Sequence, residues 1–204
     1  MKRIHIMVFI TACFISSFLL FGCGGNGPGA PGSCGSEDTG VIIQLESASH
    51  SDPAGDQGDM WQIDLYMDLC DAEYEEWGDD HLHISFSSTP IYTTELDNTL
   101  YLTNYRVTYT PLSPDNPPID EISGGAQGAI SVDPLFIAGP FNFLILDANR
   151  KIEIQDLLAR GVYQVGDPML YNMTVEFYGQ DKYGNDFCVP YIRTVEIGPY
   201  DKCD

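Results

Sequence analysis

The chain has 204 residues, with 30 Asp and Glu against nine Lys and Arg and a formal charge of −21. A length of this order accommodates one domain with a substantial core. The acidic balance excludes nucleic-acid binding, which needs clustered Lys and Arg to neutralise phosphates, and argues against adsorption to anionic headgroups.

In chain order, the first segment opens with Lys2 and Arg3 and runs through Ile6, Val8, Ile10, Phe14, Ile15 and Phe18 to Leu19-Leu20-Phe21-Gly22-Cys23. A short basic start followed by an apolar run reads as an export signal over residues 1–22 rather than as a spanning helix. The final five residues resemble the lipobox of bacterial lipoproteins. That resemblance implies cleavage between Gly22 and Cys23, acylation of Cys23 and attachment to a membrane through lipid. Two acyl chains, at about 0.8 kcal/mol per buried methylene, hold a protein on a bilayer without a transmembrane helix. Gly24 after the cysteine resembles the outer-membrane address of Gram-negative lipoproteins, so the expected location is the outer membrane, facing the periplasm or the cell surface. All 30 acidic residues follow the signal, and Lys2 and Arg3 are lost with it.

Residues 23–40 comprise the lipidated Cys23 and a spacer rich in Gly, Pro and Ser, a composition that buries too little apolar surface to order itself. From residue 41 the period is two. In Trp61-Gln62-Ile63-Asp64-Leu65-Tyr66-Met67-Asp68-Leu69 every odd position is apolar, as in a strand with one face in a core, and Leu82, Ile84 and Phe86 repeat the pattern. Further strands are expected at 41–46, 100–109, 129–132, 141–146, 170–178 and 187–197, with turns at 111–118 and at Gly124-Gly125. A short helix is expected around Gln155 to Arg160, ended by Gly161. The expected fold is all-β, a single antiparallel β-sandwich over residues 41–204.

The segment Thr174-Val175-Glu176-Phe177-Tyr178-Gly179-Gln180-Asp181-Lys182-Tyr183-Gly184-Asn185-Asp186, followed by residues 189–195, resembles the last hairpin of bacterial immunoglobulin-like and fibronectin-like domains. Asp181, Gly184 and Asn185 match their Asp-x-x-Gly-Asn turn, where Gly and Asn accept positive φ. The resemblance implies an immunoglobulin-like sandwich and carries no catalytic residue. The strand Tyr105-Arg106-Val107-Thr108-Tyr109, together with this hairpin, resembles exported lipoproteins of Gram-negative bacteria, a likeness that brings no activity with it.

With Cys13 in the signal and Cys23 acylated, Cys34, Cys70, Cys188 and Cys203 remain, an even number in an oxidising compartment. Two disulfides are expected. If the Trp61 strand ends where the last strand begins, Cys70 pairs with Cys188 and Cys34 with Cys203, the other connectivities remaining open. Cys188 and Cys203 lie far apart along an extended strand.

The densest acidic loop carries Asp71, Glu73, Glu75, Glu76, Asp79 and Asp80. A Ca²⁺ ion taking six to eight oxygens would relieve their mutual repulsion, although the spacing is not that of an EF-hand, and a solvated acidic loop is the plainer reading. His81 and His83 alternate with Leu82 and Ile84, so both imidazoles project from the polar face of one strand, where a transition metal could bind with Asp79 or Asp80. No Gly-x-Ser-x-Gly elbow is present, and three histidines survive processing, so no enzyme is expected. The tyrosines serve sheet packing, with exposed ones suited to protein or glycan contact. The function read from the sequence is a membrane-anchored lipoprotein acting as a structural or protein-interaction module, its partner an envelope or extracellular protein. The alternatives are a Ca²⁺-dependent carbohydrate-binding module and, behind it, a hydrolase.

Overall fold

The structure is a computed structural model that describes residues 39–51, 57–58, 61–66, 69–70, 73–74, 78–91, 98–133, 135–163 and 168–200, with the backbone alone at 57–58, 69–70 and 73–74. The expected signal, Cys23, Cys34, Asp71, Glu75, Glu76 and Cys203 lie outside the described residues. Among the described residues no helix is long and apolar enough to cross a membrane.

The described chain is all-β apart from one helix. Its elements are β1 (Val41–Ser51), β2 (Gln57–Gly58), β3 (Gln62–Asp64), β4 (Leu69–Cys70), β5 (Glu73–Tyr74), β6 (Asp80–Pro90), β7 (Thr99–Pro111), β8 (Ile122–Ser131), β9 (Ile137–Leu146), α1 (Ala148–Ala159), β10 (Met169–Asp181) and β11 (Asp186–Gly198). A four-stranded sheet runs in the order β2-β1-β6-β9 and a five-stranded sheet in the order β3-β11-β10-β7-β8. The pair β4 and β5 forms a separate small hairpin, with Cys70 opposite Glu73.

Alternation drives this architecture. Along β10 the residues Met169, Tyr171, Met173, Val175 and Phe177 are buried while their neighbours are not, because successive side chains point to opposite faces. Leu82, Ile84 and Phe86 are likewise buried on β6, with His81 and His83 less so, while Ser85, Ser87 and Ser88 farther along the strand are buried as well. The two inner faces meet through aromatic rings: Phe86 packs edge-on against Phe177 with centroids 5.3 Å apart, Phe143 lies 4.7 Å from Phe177, and Tyr105 lies 5.1 Å from Phe143. On the outer face of the five-stranded sheet the cross-strand pair Arg106 and Glu176 forms a part-exposed ion pair.

Four expectations are corrected. The Trp61 strand pairs in parallel with β11, Gln62 opposite Glu196 and Asp64 opposite Gly198, so the sheets are not wholly antiparallel. Here the chain crosses from one sheet to the other, and the apolar alternation of Trp61, Ile63 and Leu65 is satisfied in either strand direction. Gly124 and Gly125 are not a turn but lie inside β8, where Gly124 leaves room for the ring of Tyr105: a β-carbon would stand 2.6 Å from its Cε1. The helix begins earlier than Gln155, at Ala148, because Asp147 caps it by accepting from Arg150 N at 2.9 Å; Gly161, at φ +67°, follows its end. The folded region also begins before residue 41, since Thr39 is buried and its Oγ1 accepts from Val41 N at 3.3 Å.

The last hairpin has the expected turn. Gly184 adopts φ +88°. The Asp181 carboxylate accepts from Tyr183 N, Asn185 N and Asn185 Nδ2 at 2.8, 2.8 and 2.9 Å.

Candidate functional site

The most unusual chemistry among the described residues is a sealed ionisable cluster where the four-stranded sheet meets the helix. Asp80 opens β6 opposite Leu146 of β9. His50 stands near the end of β1, opposite Leu82, and Lys151 lies in the first turn of α1. Asp80 Oδ1 accepts from His50 Nε2 at 2.8 Å, and Asp80 Oδ2 lies 2.6 Å from Lys151 Nζ. The three side chains are 1, 4 and 0 % exposed for Asp80, His50 and Lys151 respectively.

Several local interactions hold Lys151 at this depth. Asp79, exposed at the strand entrance, accepts from Ala148 N at 3.0 Å and so ties the helix start to β6. Arg150 donates to the carbonyls of Asp120 and Glu121 at 3.2 and 2.8 Å and pairs with Asp147. Gln155 donates to Leu65 O, and Ile154 is buried beneath the helix. The ring of Trp61 lies 6.0 Å from His50, with Tyr191 and the guanidinium of Arg193 on Trp61 at 5.8 and 5.6 Å. Nearby, Tyr109 OH donates to Ile145 O at 2.9 Å. Burial first, and then the charge of Asp80, push its phenol well above the ordinary tyrosine value.

A buried ion pair is a weak source of stability, because removing two charges from water offsets most of their attraction. Nor can a solute reach this cluster without opening the core. Its chemistry is therefore internal, between the groups themselves.

Of the residues expected to hold a metal, Asp80 is turned inward to His50 and Lys151 and Asp79 is engaged by the helix, while Glu73 is described in its backbone alone. His81 and His83 do share the less buried face of β6, and His83 Nε2 lies 2.7 Å from Ser51 Oγ. Burial, then the neighbouring His81 and His50, hold the His83 imidazole below its ordinary value of 6.5. Among the described residues no group of three or more His, Cys, Asp and Glu is arranged to hold a metal ion.

Cys188 is buried and disulfide-bonded, and its partner is not among the described side chains. The premise behind a Cys70 partner is overturned: β3 is parallel to β11, so the Trp61 strand ends where the last strand ends. Cys188 lies ten residues back from Gly198 along β11, about 33 Å at 3.3 Å per residue.

A second feature lies at the edge of the four-stranded sheet. Leu135, Phe136 and Ile137 are 93, 49 and 58 % exposed where the chain enters β9. The tip is ordered by its own backbone: Asp133 Oδ1 accepts from Leu135 N at 2.9 Å and Asp133 O from Phe136 N at 3.0 Å. Such Asx turns present the following residues outward.

Reasoning from sequence missed His50 and Lys151 as partners of Asp80, and the available signal was the capping Asp147 three residues before Arg150. No family model matches the chain, and comparison with curated proteins and with solved structures finds no match. The class that the fold defines is thus the coarse one, an all-β domain of two facing sheets.

Proposed function

We propose that this chain is an envelope lipoprotein, anchored through Cys23, whose acidic immunoglobulin-like domain is a protein-interaction module. The observation that carries the module reading is the exposed Leu135-Phe136-Ile137 tip on the edge strand β9. Consecutive exposed apolar residues, ordered by a turn, cost solubility unless a partner covers them. Edge strands also offer unpaired backbone groups to a partner, and Pro140 within β9 limits how far such pairing runs. The immunoglobulin-like assignment is supported by the two facing sheets and by the Asp181-Gly184-Asn185 turn of the final hairpin.

The test combines anchor and surface. Radioactive palmitate labels the wild type and not Cys23→Ala; equal labelling of the two removes the anchor. A photo-crosslinking side chain at Phe136, in the native envelope, yields a discrete adduct that is lost on Leu135→Asp, whereas the same probe at the exposed Tyr183 yields none. No adduct at Phe136, or identical adducts at both positions, removes the interaction module.

A further inference from the structure

We infer that Lys151 and Asp80 are the site of an internal amide cross-link, a covalent bond between Nζ of the helix and Cγ of the strand, formed without an external reagent. The inference rests on the sealed cluster and is independent of the membrane anchor and of the β9 tip. An amine and a carboxyl group held 2.6 Å apart, both fully buried, are reactants already at contact. Orientation of this kind gives effective molarities on the order of 10⁵ to 10⁸ M, which offsets the cost that disfavours amide formation between free groups in water.

The step balances within the cluster. The ammonium of Lys151 passes one proton to Oδ2 along the 2.6 Å contact, which removes two buried charges. The neutral amine then attacks Cγ. His50 Nε2, donating to Oδ1 at 2.8 Å, stabilises the negative charge that develops on that oxygen. A second proton moves from the nitrogen to the departing oxygen, the Cγ–Oδ2 bond breaks and one water leaves. The ammonium and the carboxylate become an amide and a water, with no change of oxidation state. His50 is a positioning and charge-stabilising residue in this step and forms no bond to either partner.

The surroundings suit this chemistry. The cluster is closed by Trp61 over His50 and by the buried Tyr109 and Leu146, so water, which would reverse the reaction, is kept from the amide. The link would join α1 to the start of β6 and close a loop of roughly 70 residues, which adds mechanical continuity between the helix and the four-stranded sheet.

The test is peptide mapping of the full chain after reduction and denaturation. The expected product is a branched peptide that joins the segment bearing Asp80 to the segment bearing Lys151, lighter than the two linear peptides together by one water. Folded wild-type protein that yields the two linear peptides alone overturns the proposal. The branched peptide disappears in Asp80→Ala and in Lys151→Arg; its persistence in either variant places the link elsewhere and also overturns it. Because those variants remove a buried partner and can fail to fold, His50→Gln supplies a second reading. It keeps both reactants and slows the appearance of the branched peptide in a pulse-chase by about 100-fold, as loss of an oxyanion donor does. A wild-type rate in His50→Gln overturns the role of His50.

Discussion

Gly128 of β8 lies directly beneath the ring of Phe141 of β9, so that a β-carbon at position 128 would fall inside the ring's own contact distance. The two residues belong to different sheets, and the glycine is what lets the aromatic edge of one sheet close on the other. Phe141 in turn leads into the row of rings formed by Phe143, Phe86 and Phe177.

The glycines of β8 are therefore expected to differ in sign. Gly128→Ala forces the Phe141 ring to move and destabilises the fold by about 1 to 3 kcal/mol, the usual cost of overpacking. Gly125, with nothing within 4 Å of a built β-carbon, tolerates alanine and gains about 0.5 kcal/mol from reduced backbone freedom in the unfolded chain. Urea unfolding of both variants checks this; equal effects would show that the Phe141 contact does not control the strand.

The Asp181 carboxylate organises the last turn and takes a further bond from Asn98 Nδ2 at 3.3 Å. Burial alone would raise its pKa, but the hydrogen bonds from Asn185, Asn98 and Tyr183 outweigh burial and hold it below the usual carboxylate value. A lowered folded value contributes stability that is present above the unfolded pKa, near about 4, and is lost as the pH falls through the folded value. Asp181→Ala should cost about 2 kcal/mol at neutral pH. The gap in melting temperature between wild type and variant should narrow below about pH 4, as thermal melts across the acid range will show.

His83 works in the same direction at higher pH. Its imidazole is held below 6.5 by burial and by His81 and His50, so the folded state prefers it neutral. Stability is complete above the unfolded value and declines as the pH falls from about 6.5 through the lower folded value. His83→Gln, which keeps a polar contact for Ser51 and removes the titration, should flatten the melting temperature between about pH 7 and pH 5. An unchanged slope would assign the acid sensitivity to other groups.

Disulfide mapping should join Cys188 to Cys34 and Cys70 to Cys203. Asn98 bridges Thr39 O, at 3.5 Å, to Asp181, which brings the chain five residues after Cys34 to the end of the sheet where β11 starts. Cys70 follows β3 by six residues and Cys203 follows Gly198 by five, and the parallel pairing sets those two ends side by side. Recovery of a Cys70 to Cys188 peptide under non-reducing conditions would contradict this arrangement.

The residues alone determined the all-β class, most strand positions and the final turn, because each depends on short-range pattern. Alternate apolar side chains in β6 and β10 have one arrangement that buries them, and Asp181, Gly184 and Asn185 build their turn within five residues. Tertiary structure alone decided that β3 runs parallel to β11, since the alternation of Trp61, Ile63 and Leu65 is unchanged when the strand is reversed. It also turned Gly124 and Gly125 from an apparent turn into strand positions and set Gly128 beneath a ring, because the rings of Tyr105 and Phe141 that need the space at Gly124 and Gly128 come from elsewhere in the chain. The cluster of Asp80, His50 and Lys151 is the clearest case. In sequence Asp80 is one more carboxylate in an acidic run and Lys151 a polar residue ahead of the expected helix. Only the docking of the helix across the strand ends removes both from water, and with water gone their contact becomes chemistry rather than surface charge.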